Sequence, residues 1–439
     1  MKFPYHLLNI LILCLVIFHS IQRDIKLESH NPYDLRNRVV GARLQKDGKL
    51  PYAYAWNPYD GPRYYDPANE NSGSDPSNIT ASPFFHQLLI PIADWPERTI
   101  SVFWFVLEYI FLGSIMVIIC LMTGKSDLKW LIINAGILFT LTEAWKNLIA
   151  TGQLYLFEGF LICLICFALI RNKKTSIFFA GTLAAVFILT RPVGIVLFIP
   201  FLFNYKRNLL FLSTAFITLG LYGIMVFSSP YQRDLYTDYV KNMKVQVLIH
   251  QGLYTEGAPS PYSQKNPFDV LEGFDFRKSA ELTSKDHIII HNENPNVFVL
   301  YTKLFHSKMP LTILNLTSAG VIILLSLLFF FRNRSHPANQ LQVILFGFSL
   351  YMIVEIFSPV HRHQYNTVQW LPLVLAGLLV DKSWKSPEYI LIFLGLLLNI
   401  SNASWIPMRH TIGEFCWLAA LLLICLSPGI NARTWKLQS

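Results

Sequence analysis

At 439 residues the chain is long enough for two or three soluble domains, but 53% hydrophobic and only 14% charged residues exclude that use of the length. The formal net charge of +9 comes from lysines and arginines gathered in short loops between apolar runs, as the positive-inside rule places them, so the charge does not point to nucleic acid. All six cysteines (Cys14, Cys120, Cys163, Cys166, Cys416, Cys425) stand inside apolar runs and read as small buried hydrophobes rather than disulfides or metal ligands.

In chain order, Met1-Lys2 and an apolar stretch from Leu7 to Phe18 come first. A cleaved signal peptide and an uncleaved span both fit this start, and the missing small-x-small site favours the uncleaved span. A transmembrane helix needs about 20 mainly apolar residues. With charged interruptions read as loops, spans are expected near 4–22, 99–122, 130–147, 153–170, 175–189, 191–204, 208–228, 311–331, 339–357, 366–380, 387–404 and 411–428. The expectation is an all-α polytopic membrane protein, one membrane domain over 1–439 with about 12 transmembrane helices and both termini inside. Lys125 and Lys129, Arg171 to Lys174, Lys206 and Arg207, Arg332 and Arg334, Lys382 and Lys385, and Arg433 and Lys436 then all fall on the side of Lys2. Residues 175–204 read as one long pass or as a hairpin of two short ones. A single pass buries Arg191 at about 2.5–3.5 kcal/mol and turns every later basic loop outward, so the hairpin is preferred, with Arg191-Pro192 at its outer tip.

Two long segments, 23–98 and 229–310, fall on the extracytoplasmic side. The first holds turn signals such as Asn57-Pro58 and Asp60-Gly61-Pro62, with too many aromatic residues for a disordered tail. Asn37 to Gln45 and Phe298 to Phe305 are candidate interfacial helices.

Ionisable residues at span ends are the default functional candidates in a membrane protein, and here they share the outer side. Asp34, Arg36 and Arg38 follow the first span; Glu143, Lys146 and Gln153 lie between the third and fourth; Arg191, Glu355, His361, Arg362 and His363, then Arg409, His410 and Glu414, come later. Lone lysines and arginines there also snorkel to lipid phosphates, an ordinary role for Lys146 and Arg409. His361 and His363 fit a solvated turn, and no Cys or carboxylate stands at ligand spacing to make them a metal site. Together, cations that hold a lipid phosphate and a carboxylate that takes a proton from an incoming hydroxyl suit glycosyl transfer from a lipid-phosphate sugar.

At these residues the chain resembles the GT-C integral-membrane glycosyltransferases, most closely glycosyltransferase family 87. "YDLRNRVVGARLQKDGKLPY" (33–52) is similar to the family's early Asp, small-residue helix, Gly and Pro-Tyr, and "ITASPFFHQLLIPIADWP" (79–96) resembles its Pro-aromatic segment. "TGQLYLFEGFLICL" opens the fourth span like the family's Gly-Gln-x-Asn start, with Tyr155 in place of Asn; "TRPVGIVLFIPFLF" and "FSPVHRHQYNTVQWLPLV" resemble its cation-Pro segment and its late His loop. The resemblance implies Asp34 as base in an inverting displacement from a donor such as polyprenyl-phosphate-mannose. It also implies donor phosphate or sugar binding by Lys146, Gln153, Arg191, His361, Arg362 and His363, a glycolipid or polysaccharide acceptor, and no nucleotide or obligatory metal; the first outer segment is read as catalytic and the second, less familiar one as the acceptor side. An outer-face polysaccharide polymerase or ligase is the alternative reading, since it too combines many spans with a large outer loop. A transporter should show repeated halves, which are not visible in the sequence, and a structural subunit does not need so many outer-face charges.

Overall fold

The computed structural model describes residues 3–28, 32–52, 54, 63–64, 79–251, 296–380, 385–401, 405–406 and 408–427. Lys2, Lys382, Arg433 and Lys436, which helped to orient the chain, lie outside the described residues, as does 252–295 of the second long segment. Among the described residues the protein is all α, and each of the expected apolar stretches is helical in whole or in part.

Helix α1 (Phe3–Glu28) runs past the expected end of the first span at residue 22. Two carboxylates in its last turns are satisfied by partners that the sequence does not reveal. Buried Asp24 accepts from Trp145 Nε1 at 2.6 Å and Tyr109 Oη at 2.7 Å, and Glu28 accepts from Arg98 at 2.7 Å and from Ser101. These bonds fasten α1 to α4 (Glu97–Leu121) and α6 (Glu143–Thr151). Between them lie α2 (Tyr33–Lys46), α3 (Pro83–Leu89) and a 3-10 turn at Ile90–Ile92. Ser82 caps α3 by accepting from the Phe85 amide, with Pro83 in the first turn, where its missing N–H costs nothing.

The expected span at 130–147 is divided. Helix α5 (Ser126–Phe139) stops at Thr140, and α6 restarts at Glu143 with Thr142 as its N-cap. Helix α6 then meets α7 (Tyr155–Arg171) at an angle of 113°. Gly152 makes the corner in the left-handed conformation, φ 65°, that glycine adopts at no steric cost.

Helix α8 (Lys174–Thr190) ends at Arg191-Pro192, the expected tip of a hairpin, and a 3-10 helix (Pro192–Phe198), short α9 (Ile199–Leu202) and α10 (Tyr205–Ser228) follow. Next come α11 (Pro230–His250) and α12 (Val297–Phe305), then α13 (Leu311–Ser335) and α14 (Gln340–Ile356). A 3-10 helix (Gln364–Trp370) continues into α15 (Leu371–Gly377), and α16 (Pro387–Ile400) and α17 (Arg409–Leu426) close the bundle.

Among the described residues five helices are long and apolar enough to cross a membrane: His6–Glu28 of α1, α4, α10, α13 and α17; the bent pair α6–α7, taken as one span, makes six. The expected 12 passes are therefore not equivalent, and burial gives the reason. Residues Leu341 to Met352 of α14 are buried without exception, so α14 faces protein on all sides and needs neither full length nor an amphipathic stripe. The 3-10 segments at 192–198 and 364–370 pack against α14 and α7 respectively, and irregular backbone at membrane depth is tolerated when protein covers it. The outer helices instead expose large apolar side chains, such as Leu221, Ile224 and Phe227 on α10 and Leu316, Ile323 and Leu324 on α13, which suits a lipid surround.

Candidate active site

Helix α2 presents four sides, because successive residues turn by about 100° around a helix. Asp34, Arg38, Gly41 and Gln45 fall along its front. On one flank Leu35, Val39 and Ala42 pack with Ala81, Phe85, Leu89, Ile100 and Trp104; on the other, Val40 and Leu44 pack with Tyr52, Tyr64 and Leu235 of α11. The back carries Arg36, paired with Glu97 at 2.5 Å, and Arg43, which donates to the Ala93 carbonyl at 2.6 Å. Two apolar flanks and a tethered back fix the rotation of α2, and its polar front meets the α6–α7 corner.

Gly152 allows that meeting. A Cβ there would lie 2.7 Å from Leu35 Cβ and 2.8 Å from Pro32 Cβ, closer than packed atoms tolerate. With no side chain in the way, Gln153 Nε2 donates to Asp34 Oδ2, while Arg38 donates to Gln153 Oε1 and, at 3.3 Å, to the Gly152 carbonyl. The buried amide of Gln153 thus receives from a cation and gives to a carboxylate. Burial pushes the Asp34 carboxyl above its ordinary value, and Arg38, His363 and the bond from Gln153 hold it back only in part. A carboxylate with raised proton affinity is the stronger general base. Gln153→Ala removes a bond that lowers this pKa, so the acidic limb of the activity–pH profile should move to higher pH, because the base works only where it is ionised. An unmoved limb would separate Asp34 from the titration.

The other expected site residues fall into three groups. His363 is exposed, within electrostatic reach of Asp34, and its ring stacks on Tyr365 at 5.0 Å. Tyr365 stacks on Tyr155 at 5.5 Å, and the Arg191 guanidinium lies 5.6 Å from the centre of the Tyr155 ring. A column of flat groups thereby joins the surroundings of Asp34 to Arg191. Arg191 donates two bonds to Glu355, at 3.0 and 2.7 Å, the fork geometry that suits a carboxylate or a phosphate equally. Arg362 stands 3.8 Å from the same Glu355 and makes its own two bonds, 2.8 and 3.2 Å, to Glu414, which also accepts from Thr367 and Trp370. Two cations and two carboxylates balance, and the Arg191 side chain, 30% exposed, is the member open to a ligand, whereas Arg362 at 2% is enclosed.

His361 forms the third group with His250, whose Nδ1 accepts from the His361 amide at 2.9 Å, the rings 4.8 Å apart. Burial holds both imidazoles below their ordinary value, His250 at about 3. Asn296 accepts from the Arg362 amide and donates to the Ser358 and Val360 carbonyls, so residues 358–362 are pinned by both described parts of the second long segment. Lys146 stays apart from the Asp34 relay and pairs with Glu143 at 2.5 Å.

Two buried groups were not singled out in the sequence. Among the described residues neither carboxylate oxygen of Glu158, on the first turn of α7, has a hydrogen-bond partner, although Arg191 and Arg38 are within electrostatic range. The ring nitrogens of His86 on α3 are equally unpartnered, and burial with Arg38 nearby keeps that imidazole near pKa 3. A lone acid and a lone histidine in apolar stretches look like ordinary core residues in sequence; what marks them is the lack of partners, which only coordinates reveal. Among the described residues no three His, Cys, Asp or Glu side chains are grouped so as to hold a metal ion.

The fold and the site define a multi-pass helical membrane protein with a carboxylate, several cations and buried polar groups gathered around the chain's first long inter-span segment. The family model of glycosyltransferase family 87 matches residues 80–263, so the resemblance read from the sequence holds over that stretch, and the chain is a glycosyltransferase. Lys146, Gln153 and Arg191 lie within the matched residues; Asp34, His361, Arg362 and His363 lie outside them. No curated protein and no solved structure matched the chain.

Proposed function

We propose that the protein moves a hexose, with mannose as the first candidate, from a polyprenyl-phosphate sugar to a glycolipid or polysaccharide acceptor at the extracytoplasmic face of the plasma membrane. In this GT-C reading both termini are cytoplasmic, 23–98 is the catalytic segment and 229–310 serves the acceptor side. Asp34 takes the proton from the acceptor hydroxyl, the hydroxyl oxygen attacks the anomeric carbon from the face opposite the phosphate, and the C–O bond to phosphate breaks with its electron pair going to the leaving group. The configuration at that carbon inverts. The observation that carries this reading is the Arg38–Gln153–Asp34 relay, which orients one oxygen of a carboxylate whose proton affinity burial raises.

Arg191 is the leading cation for the donor phosphate, because its fork is partly exposed and a phosphate can share it with Glu355. Lys146, His361 and His363 add charge or hydrogen bonds along the same side, and enclosed Arg362 acts through Glu355 by holding it in place. Loss of one charge-assisted bond to phosphate is worth about 1.5–3 kcal/mol, so Arg191→Ala should raise the donor concentration needed for half-maximal transfer by roughly 10- to 100-fold. Protein abundance in the membrane should change far less. Equal donor dependence in variant and wild type would remove Arg191 from the donor site.

A further inference from the structure

Beyond the relay, the front of α2 continues for two more turns, and His86 stands over it. A Cβ added to Gly41 would meet the His86 ring at 2.5 Å from Nε2 and 2.8 Å from Cε1, so the imidazole lies directly on the helix backbone where a glycine leaves room. Gly41 follows Asp34 by seven residues, two turns along the same face, with Arg38 between them. His86 also lies beside Tyr52, with ring centres 6.0 Å apart, and Tyr52 in turn contacts Tyr239 of α11 at 5.4 Å.

The imidazole is fully buried, and neither nitrogen has a hydrogen-bond partner among the described residues. Near Gly41 the front also carries Gln45 Oε1, buried and without a hydrogen-bond partner among the described residues. Polar groups left unmade in a protein interior cost about 1–3 kcal/mol each, and native structures keep few of them without a reason. A neutral imidazole offers one N–H and one lone pair, and a hydroxyl, which both donates and accepts, answers both. A phosphate or carboxylate does not, because it brings only acceptors.

We infer that His86, over Gly41 and two turns along α2 from Asp34, binds hydroxyls of a neutral sugar and forms a sugar subsite beside the proposed base. The inference deepens the glycosyl-transfer reading and rests on it for the identity of the ligand as a sugar. The subsite lies toward α11 from Asp34, and α11 belongs to the segment proposed to serve the acceptor.

The test uses the full chain in lipid nanodiscs and methyl α-D-mannopyranoside as the probe, followed by the rise in thermal midpoint with sugar concentration. Wild type and His86→Gln, which keeps a donor and an acceptor, should be stabilised over similar sugar concentrations, while His86→Phe, which fills the space but offers no hydrogen bond, should need about tenfold more sugar. Midpoints without sugar identify a variant that is merely unstable, and the Gln variant then carries the comparison through its affinity relative to wild type. Equal sugar dependence in wild type and His86→Phe would overturn the inference, as would a wild type that gains nothing from the sugar. A wild type that binds the sugar through His86 but transfers nothing from polyprenyl-phosphate-mannose would sink the donor assignment and leave the subsite standing.

Discussion

Asp34→Asn should retain the protein in the membrane and lose transfer from polyprenyl-phosphate-mannose by about 10²- to 10⁴-fold, the range that general base catalysis contributes. Asparagine keeps the size of the side chain, and its amide oxygen can still accept from Gln153 Nε2, so the contact between α2 and the α6–α7 corner survives. What disappears is the group able to take the proton. The flanks that hold α2, Leu35 to Ala42 against α3 and α4 and Val40 to Leu44 against Tyr52 and Leu235, are untouched. The assay is radiolabelled sugar transfer in membranes with expression matched by blot. Equal transfer by variant and wild type would put the base elsewhere, and Glu158 is then the next carboxylate to examine, because it is buried with neither oxygen paired.

Arg362→Ala should act on the fold. Its guanidinium and the Glu414 carboxylate are 2% and 0% exposed and joined by two bonds. Removal of one partner leaves a buried charge with Thr367 and Trp370 as its remaining hydrogen-bond donors, and breaking such a pair costs about 3–5 kcal/mol, a large share of the stability of most proteins. Folded protein recovered from membranes should fall steeply, and the purified variant should unfold at a clearly lower temperature. Arg362→Ala with Glu414→Gln should recover part of the loss, since no unpaired charge then remains. Arg191→Ala is the contrast: its side chain is 30% exposed, so water can reach Glu355 when it is gone. A variant at Arg362 that is as stable as wild type would show that this pair is solvated in the membrane-embedded protein.

Much of the membrane architecture could be read without coordinates because its cause is local. Apolar run length and the position of lysines and arginines are properties of neighbouring residues, and they located the helical stretches and the turn at Arg191-Pro192. The misjudged boundaries have two physical causes. Asp24 and Glu28 looked like the end of a span because an unpaired carboxylate does not belong in one, yet Trp145, Tyr109, Arg98 and Ser101 satisfy them from far along the chain. The run at 130–147 looked continuous because hydropathy does not register a cap, and Thr142 breaks it in two.

By itself the sequence determined that this is a polytopic helical membrane protein, that Asn37 to Gln45 can form a short helix after the first span, and that a Gly-Gln pair opens the fourth apolar stretch, because periodicity and composition act over a few residues. Only the tertiary structure decided that Gly152 lets Gln153 reach Asp34, that Arg191 shares Glu355 with Arg362, and that His86 rests on Gly41 with both nitrogens unmatched. Apart from the Arg362–Glu355 approach, each of those is a contact between residues more than 40 positions apart, and which long-range partners meet is settled by packing that no local pattern records.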